Sequence, residues 1–172
     1  LGLGGGELSG DARVGLPSPR LNLVADKVPL GLLSLVDPRV SLVGQLDAEL
    51  ELAGTGRAAA GRFDIRLDPL RLASRRRGAA VTVTARGELR LGRLAFVLEG
   101  ATPDAAPATL HGEIPLMADL EALRVSLPPD GRIEGRMDWQ GNASDFLLLL
   151  PMNEHLLRGP TRLALRIDGT VA

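Results

Sequence analysis

The run Gly44-Gln45-Leu46-Asp47-Ala48-Glu49-Leu50-Glu51-Leu52-Ala53-Gly54 places an apolar residue at every second position. Leu46, Ala48, Leu50 and Leu52 fall on one side, and Gln45, Asp47, Glu49 and Glu51 on the other. Side chains alternate across a strand with a period of two, whereas an amphipathic helix needs spacings of three and four. The run therefore predicts a strand with one apolar and one solvated face, bounded by glycines.

The same alternation recurs outward from it. Phe63, Ile65 and Leu67 oppose Arg62, Asp64, Arg66 and Asp68; Val81, Val83 and Ala85 oppose Thr82, Thr84 and Arg86. Leu94, Phe96 and Leu98 form a weaker case, because Ala95 and Val97 stand among their opposites. Ile133, Met137 and Trp139, with Gly135 on their side, oppose Arg132, Glu134, Arg136 and Asp138. Leu163, Leu165 and Ile167 oppose Arg162, Ala164, Arg166 and Asp168. Shorter strand candidates lie at 20–24, 109–116 and 123–127. Turn residues separate the runs: 54–56, 75–78, Gly92, 102–104 and Pro128-Pro129-Asp130-Gly131. Strands joined by short turns pair antiparallel. The fold class expected is mainly β: an elongated, curved antiparallel sheet forming a groove.

Two segments depart from this pattern. Residues 28–36 and 143–150 carry apolar residues in succession and precede Pro38 and Pro151. They predict short apolar helices at about 28–37 and 143–151, the second capped by Ser144 or Asp145; a buried central strand is the alternative reading of each. The two also anchor an internal repeat. In one ungapped register Leu32 matches Leu147, Leu35 matches Leu150, Gly44 matches Gly159, Leu50 matches Leu165, Leu52 matches Ile167 and Gly54 matches Gly169. The expectation is that residues 1–172 form one segment of a repetitive β-rich array that continues past both ends.

Composition narrows the function classes. Lys and Arg number 20 and Asp and Glu 21, giving a net charge of −1. No excess of cations argues for a nucleic-acid partner. Cys is absent, which removes disulfides and cysteine-held metals. Among 172 residues there are three Phe, one Trp and no Tyr, so the apolar surface is aliphatic.

No constellation in the sequence carries chemistry. His111 and His155 are isolated, without a second His at ligand spacing. Gly2, Gly4, Gly5 and Gly6 are followed by neither a helix pattern nor a P-loop Lys. Asp47 and Glu49 lie on a solvated strand face, where nothing raises a carboxylate pKa. Arg75-Arg76-Arg77 reads as a solvated loop with anionic headgroups as the functional alternative, and Asn142-Ala143-Ser144 is a glycosylation sequon short enough to arise by chance. The expectation is a chain without catalytic residues, metal or cofactor.

What remains is the apolar side of the sheet. Each aliphatic side chain left in water forgoes about 1.5–3 kcal/mol, so something covers it: a second sheet, the short helices, or an apolar ligand. The candidate lining residues are Leu46, Leu50, Leu52, Phe63, Ile65, Leu67, Val81, Val83, Leu94, Phe96, Leu98, Ile133, Met137, Trp139, Leu163, Leu165 and Ile167.

The stretches Leu32-Leu33-Ser34-Leu35, Gly44 to Thr55, Leu127-Pro128-Pro129-Asp130-Gly131 and Gly135-Arg136-Met137-Asp138-Trp139-Gln140-Gly141 resemble the TamB family of Gram-negative bacteria. The likeness runs from about Pro19 to the end and is one of texture rather than an invariant signature. It implies a β-taco groove of the AsmA-like, bridge-like lipid-transfer type. It implies a location in the periplasm, on a protein held in the inner membrane by an anchor outside these residues. The expected ligands are phospholipid acyl chains moving toward the outer membrane. The alternative implied role is a scaffold for outer-membrane protein assembly with a TamA-like barrel partner, reached through other parts of the chain.

Overall fold

The structure, a computed structural model, describes residues 2–3, 5–15, 18–35, 42–72, 80–102, 105–142 and 159–171. Its strands are β1 (Gly2–Leu3), β2 (Gly6–Arg13), β3 (Arg20–Pro29), β4 (Leu42–Ala53), β5 (Thr55–Gly56), β6 (Ala60–Leu72) and β7 (Val81–Arg90). Then follow β8 (Arg93–Thr102), β9 (Ala105–Pro115), β10 (Met117–Asp119), β11 (Arg124–Ser126), β12 (Arg132–Asn142) and β13 (Pro160–Thr170). The fold is mainly β. One ten-stranded sheet runs β1-β2-β3-β4-β6-β7-β8-β9-β12-β13, antiparallel throughout and, among the described residues, open at both edges; β11-β10-β5 form a separate three-stranded sheet.

The meander follows from local chemistry. The β7–β8 hairpin turns on Leu91 and Gly92, both left-handed with φ of 51° and 74°. That is the two-residue loop whose twist matches its flanking strands. Leu91 is 85 % exposed, so its side chain gains nothing there and its backbone is strained. Leu91→Asn is expected to raise stability by about 0.5–1 kcal/mol, read as a higher midpoint in urea with unchanged slope.

All four register shifts in the large sheet lie at one end: Ala25/Val28 in β3, Val43/Gln45 in β4, Leu67/Leu70 in β6 and Gly100/Thr102 in β8. A bulge adds local twist and bends its strand, so this end departs from a regular ladder. In β3 the bulge holds Lys27 at φ 49°, and its backbone N–H donates to Asp47 Oδ1 at 2.8 Å. A 3-10 segment, Leu30–Leu35, sits at the same end, with Leu30 buried. The opposite end holds the small sheet, where Ala59, Leu89 and Ala118 form a buried cluster against Leu52, Leu94 and Leu116.

Several sequence expectations need correcting. The helix expected at 28–37 is not found as such: Val28 and Pro29 still belong to β3, Leu30–Leu35 coil as 3-10 turns, and 36–37 lie outside the described residues. Gly31 disfavours a helix interior by about 1 kcal/mol relative to Ala, and the short piece closes in the tighter 3-10 turns instead. Strand β2 is not legible in the sequence, because Gly10 and Ala12 give its apolar side little signal. The candidate at 123–127 is a three-residue strand of the small sheet. The helix expected at 143–151, His155 and Arg75-Arg76-Arg77 lie outside the described residues.

Candidate functional site

Register, not proximity in sequence, assembles the apolar face. Across β4 and β6, Leu46 pairs with Leu67, Ala48 with Ile65 and Leu50 with Phe63. The rows continue through Ile65–Ala85–Leu98–Leu110–Met137–Leu165 and through Phe63–Gly87–Phe96–Gly112–Gly135–Ile167. On the other flank Leu21 meets Leu52 and Leu23 meets Leu50. Every candidate lining residue therefore stands on one side of the sheet, and the arginines and carboxylates of the same strands on the other. A slip of one residue in any strand would have reversed it.

This face is largely open. Leu98 is 38 % exposed, Ile167 43 % and Leu165 46 %, and most of the other lining residues are half-buried. Trp139 is the exception: it is buried, and its indole N–H donates to the Ala106 carbonyl at 3.1 Å. The 3-10 segment and the small sheet cover only the two strand ends, so nothing among the described residues lies over the middle of the face.

The floor of the face is shaped by rings lying on glycines. A Cβ at Gly87 would collide with the Phe63 ring, one at Gly112 with the Phe96 ring, and one at Gly141 with the Trp139 ring. Phe63 and Gly87, and Phe96 and Gly112, are direct cross-strand partners. Each glycine lets an aromatic side chain lie down along the sheet rather than stand off it, and the ring in turn shields backbone that no side chain covers. Gly87, Gly112, Leu110 and Leu89 were absent from the sequence-based lining: glycine carries no hydrophobic signal, and β9 mixes small residues into its alternation.

The opposite face is ionic. Arg62 Nη2 donates to Glu51 at 2.8 Å, Arg86 approaches Asp64 at 2.9 Å and Arg132 grips Asp168 with two bonds of 3.0 and 3.1 Å. Arg66 reaches along its own strand to Asp68, and Arg136 to Asp138, each at 2.6 Å. These pairs are exposed and screened, so each adds little to stability. Shallow depressions of about 570 and 710 Å³ lie on this side, around His111, Arg136 and Arg166 and around Arg62 and Arg86.

Hydrogen bonds from Arg62, Arg66, Arg136 and Arg132 hold Glu51, Asp68, Asp138 and Asp168 below their ordinary values of 4.5 and 3.8. A carboxylate lowered in the folded state stabilises fully above its unfolded value, and that contribution is lost as pH falls through the folded one. The melting temperature is accordingly expected to be flat above about pH 5 and to decline below pH 4. A thermal scan series across that range checks it; a decline already complete at pH 5 would contradict it.

Among the described residues, no group of His, Asp and Glu is placed to hold a metal ion, and no helix is long and apolar enough to cross a membrane. No family model, no curated protein and no solved structure matches this chain.

Proposed function

We propose that this chain is a periplasmic segment of a TamB-like envelope protein, and that its apolar face carries phospholipid acyl chains between the inner and outer membranes. The observation supporting this reading is the unbroken apolar face running from β3 to β13, free of charged residues and uncovered at its middle. Exposed apolar patches on a monomer seldom exceed about 300–600 Å² without a partner, and a face spanning eight strands calls for one. Acyl chains suit it because they need contact area and no directional bonds, and the aliphatic lining offers no polar group to select a headgroup.

The test is native mass spectrometry of the purified chain, followed by extraction of whatever is bound. Co-purifying phospholipid supports the reading. A lipid-free protein that fails to take up lipid from vesicles would overturn it.

A second reading is a scaffold on which another polypeptide adds a strand, favoured by the outer side of β13, which has no strand beside it among the described residues. An exposed strand edge presents backbone donors and acceptors ready for pairing.

A further inference from the structure

The ladder registers place a line of arginines at the strand ends beside the small sheet. On the ionic face, Arg13 of β2 stands directly opposite Arg20 of β3, and Arg90 of β7 opposite Arg93 of β8. Arg132 opens β12 at the same end. Like charges directly opposite one another are unfavourable across strands. Arg124 begins β11, and Arg57 lies against the β7–β8 turn, its Cγ 3.5 Å from where a Cβ on Gly92 would stand.

The carboxylates one row behind are already engaged: Glu88 with Arg90, Glu113 with Arg93, Glu134 and Asp168 with Arg132, and Glu51 with Arg62. Asp11 accepts from Asn22. The turns themselves hold Asp119, Glu121 and Asp130, and Asp119 accepts the backbone N–H groups of Glu121 and Ala122. Cations therefore prevail at this end. Arg13, Arg20, Arg57 and Arg124 are exposed and make no ion pair among the described residues.

Two strained leucines stand among these arginines. Leu91 turns between Arg90 and Arg93 at φ 51°, and Leu123 precedes Arg124 at φ 49°. With Val125 they are the three most exposed large aliphatic side chains among the described residues, at 85, 73 and 63 %. Leucine disfavours the left-handed region, and neither side chain recovers that cost by burial. Apart from 16–17, the turns at this end are described. In a longer array further strands would lie beside the sheet, not across its strand ends.

We infer that these strand ends dock on the surface of an anionic lipid bilayer, Leu91 and Leu123 entering the acyl region while the neighbouring arginines hold phosphates. Aliphatic tips alone would fit any apolar partner. Aliphatic tips set among arginines without ion pairs match a surface that offers hydrocarbon directly beneath negative charge. The arginine stem lies along apolar material while its guanidinium reaches back to the headgroups. The inference goes beyond lipid carriage and does not depend on it, because it concerns the strand ends and not the apolar face.

The probe is the 172-residue chain floated with vesicles of phosphatidylcholine, alone or mixed with phosphatidylglycerol. Binding is expected on the anionic vesicles and should weaken with salt. Arg57→Gln and Arg124→Gln should each weaken it about fivefold, and Leu91→Asp with Leu123→Asp about tenfold or more. Asp tolerates the left-handed conformation, so circular dichroism should report an unchanged fold. The chain has no cysteine, so Leu91→Cys can carry an environment-sensitive dye at one site. Its emission should shift to the blue on anionic vesicles, whereas a dye at Glu99→Cys, toward the other end of β8, should not respond. Ile65→Arg, which empties the apolar face, should still bind vesicles.

Failure to bind anionic vesicles, or equal binding to neutral ones, would overturn the inference and leave lipid carriage standing. Binding that is lost with the arginines but unchanged by the leucine pair, with no blue shift, would make the strand ends a seat for soluble polyanions and overturn membrane docking. Loss of binding in Ile65→Arg, with the strand-end variants binding normally, would assign vesicle binding to the apolar face and overturn the role of the strand ends.

Discussion

Leu50→Arg or Ile65→Arg is expected to abolish lipid co-purification while leaving the protein folded. Both residues stand in the middle of the apolar face, Leu50 beside Leu23 and Phe63, and Ile65 between Ala48 and Ala85. Both are half-buried, so a long side chain can run along the face and lift its guanidinium toward water, which limits the damage to the fold. An acyl chain in the same place has no such escape. A guanidinium in contact with hydrocarbon costs about 2.5 kcal/mol or more, close to a hundredfold in occupancy. Lipid retained at the original level by a folded Ile65→Arg protein would remove the apolar face as the carrier. Loss of lipid in Leu50→Arg and Ile65→Arg, with retention in an ionic-face control such as Asp64→Arg, would locate it there.

Gly112→Val should be the most damaging of the small substitutions. Valine favours strands, and on an open sheet that preference is worth up to about 1 kcal/mol. Here the new Cβ enters the Phe96 ring. Relief requires the ring to leave its resting place or β8 and β9 to separate, and overpacking of this kind costs about 1–3 kcal/mol. The clash outweighs the propensity, so the melting temperature should fall by roughly 3–10 °C. Phe96→Ala in the same chain should recover part of the loss, because it removes the group being struck. Equal effects of Gly112→Val with and without the ring would show that the glycine is needed for some other reason. Gly135 provides the contrast, since its Cβ would meet Ile167 only at 3.4 Å or beyond. Substitution there should be tolerated, although Gly135 occupies the same cross-strand row.

The periodicity that made β4, β6, β7, β12 and β13 legible is a direct imprint of burial on sequence. A strand with one dry and one wet face must alternate; Leu46 to Leu52 do so without exception, and Leu163 to Ile167 with Ala164 alone out of pattern. The division into an apolar and an ionic face was readable for the same reason. Residues 28–37 were harder, because a continuous apolar run fits a helix, a buried strand or, as found, the end of β3 followed by 3-10 turns. Nothing local distinguishes these; burial of Leu30 at the bulged end of the sheet does.

By itself, the sequence determined the mainly β class, the antiparallel connectivity implied by its short turns, and which side chains share a face. Each of these is set within one strand or one hairpin by alternation and turn chemistry. Only the tertiary structure decided the order of ten strands in one open sheet, the gathering of four register shifts at one end, and the three-stranded sheet over the other. The resting of Phe63 on Gly87 and Phe96 on Gly112 belongs with them. Those features depend on pairing between residues far apart in the chain, where register is fixed by many weak contacts at once and by no single local preference.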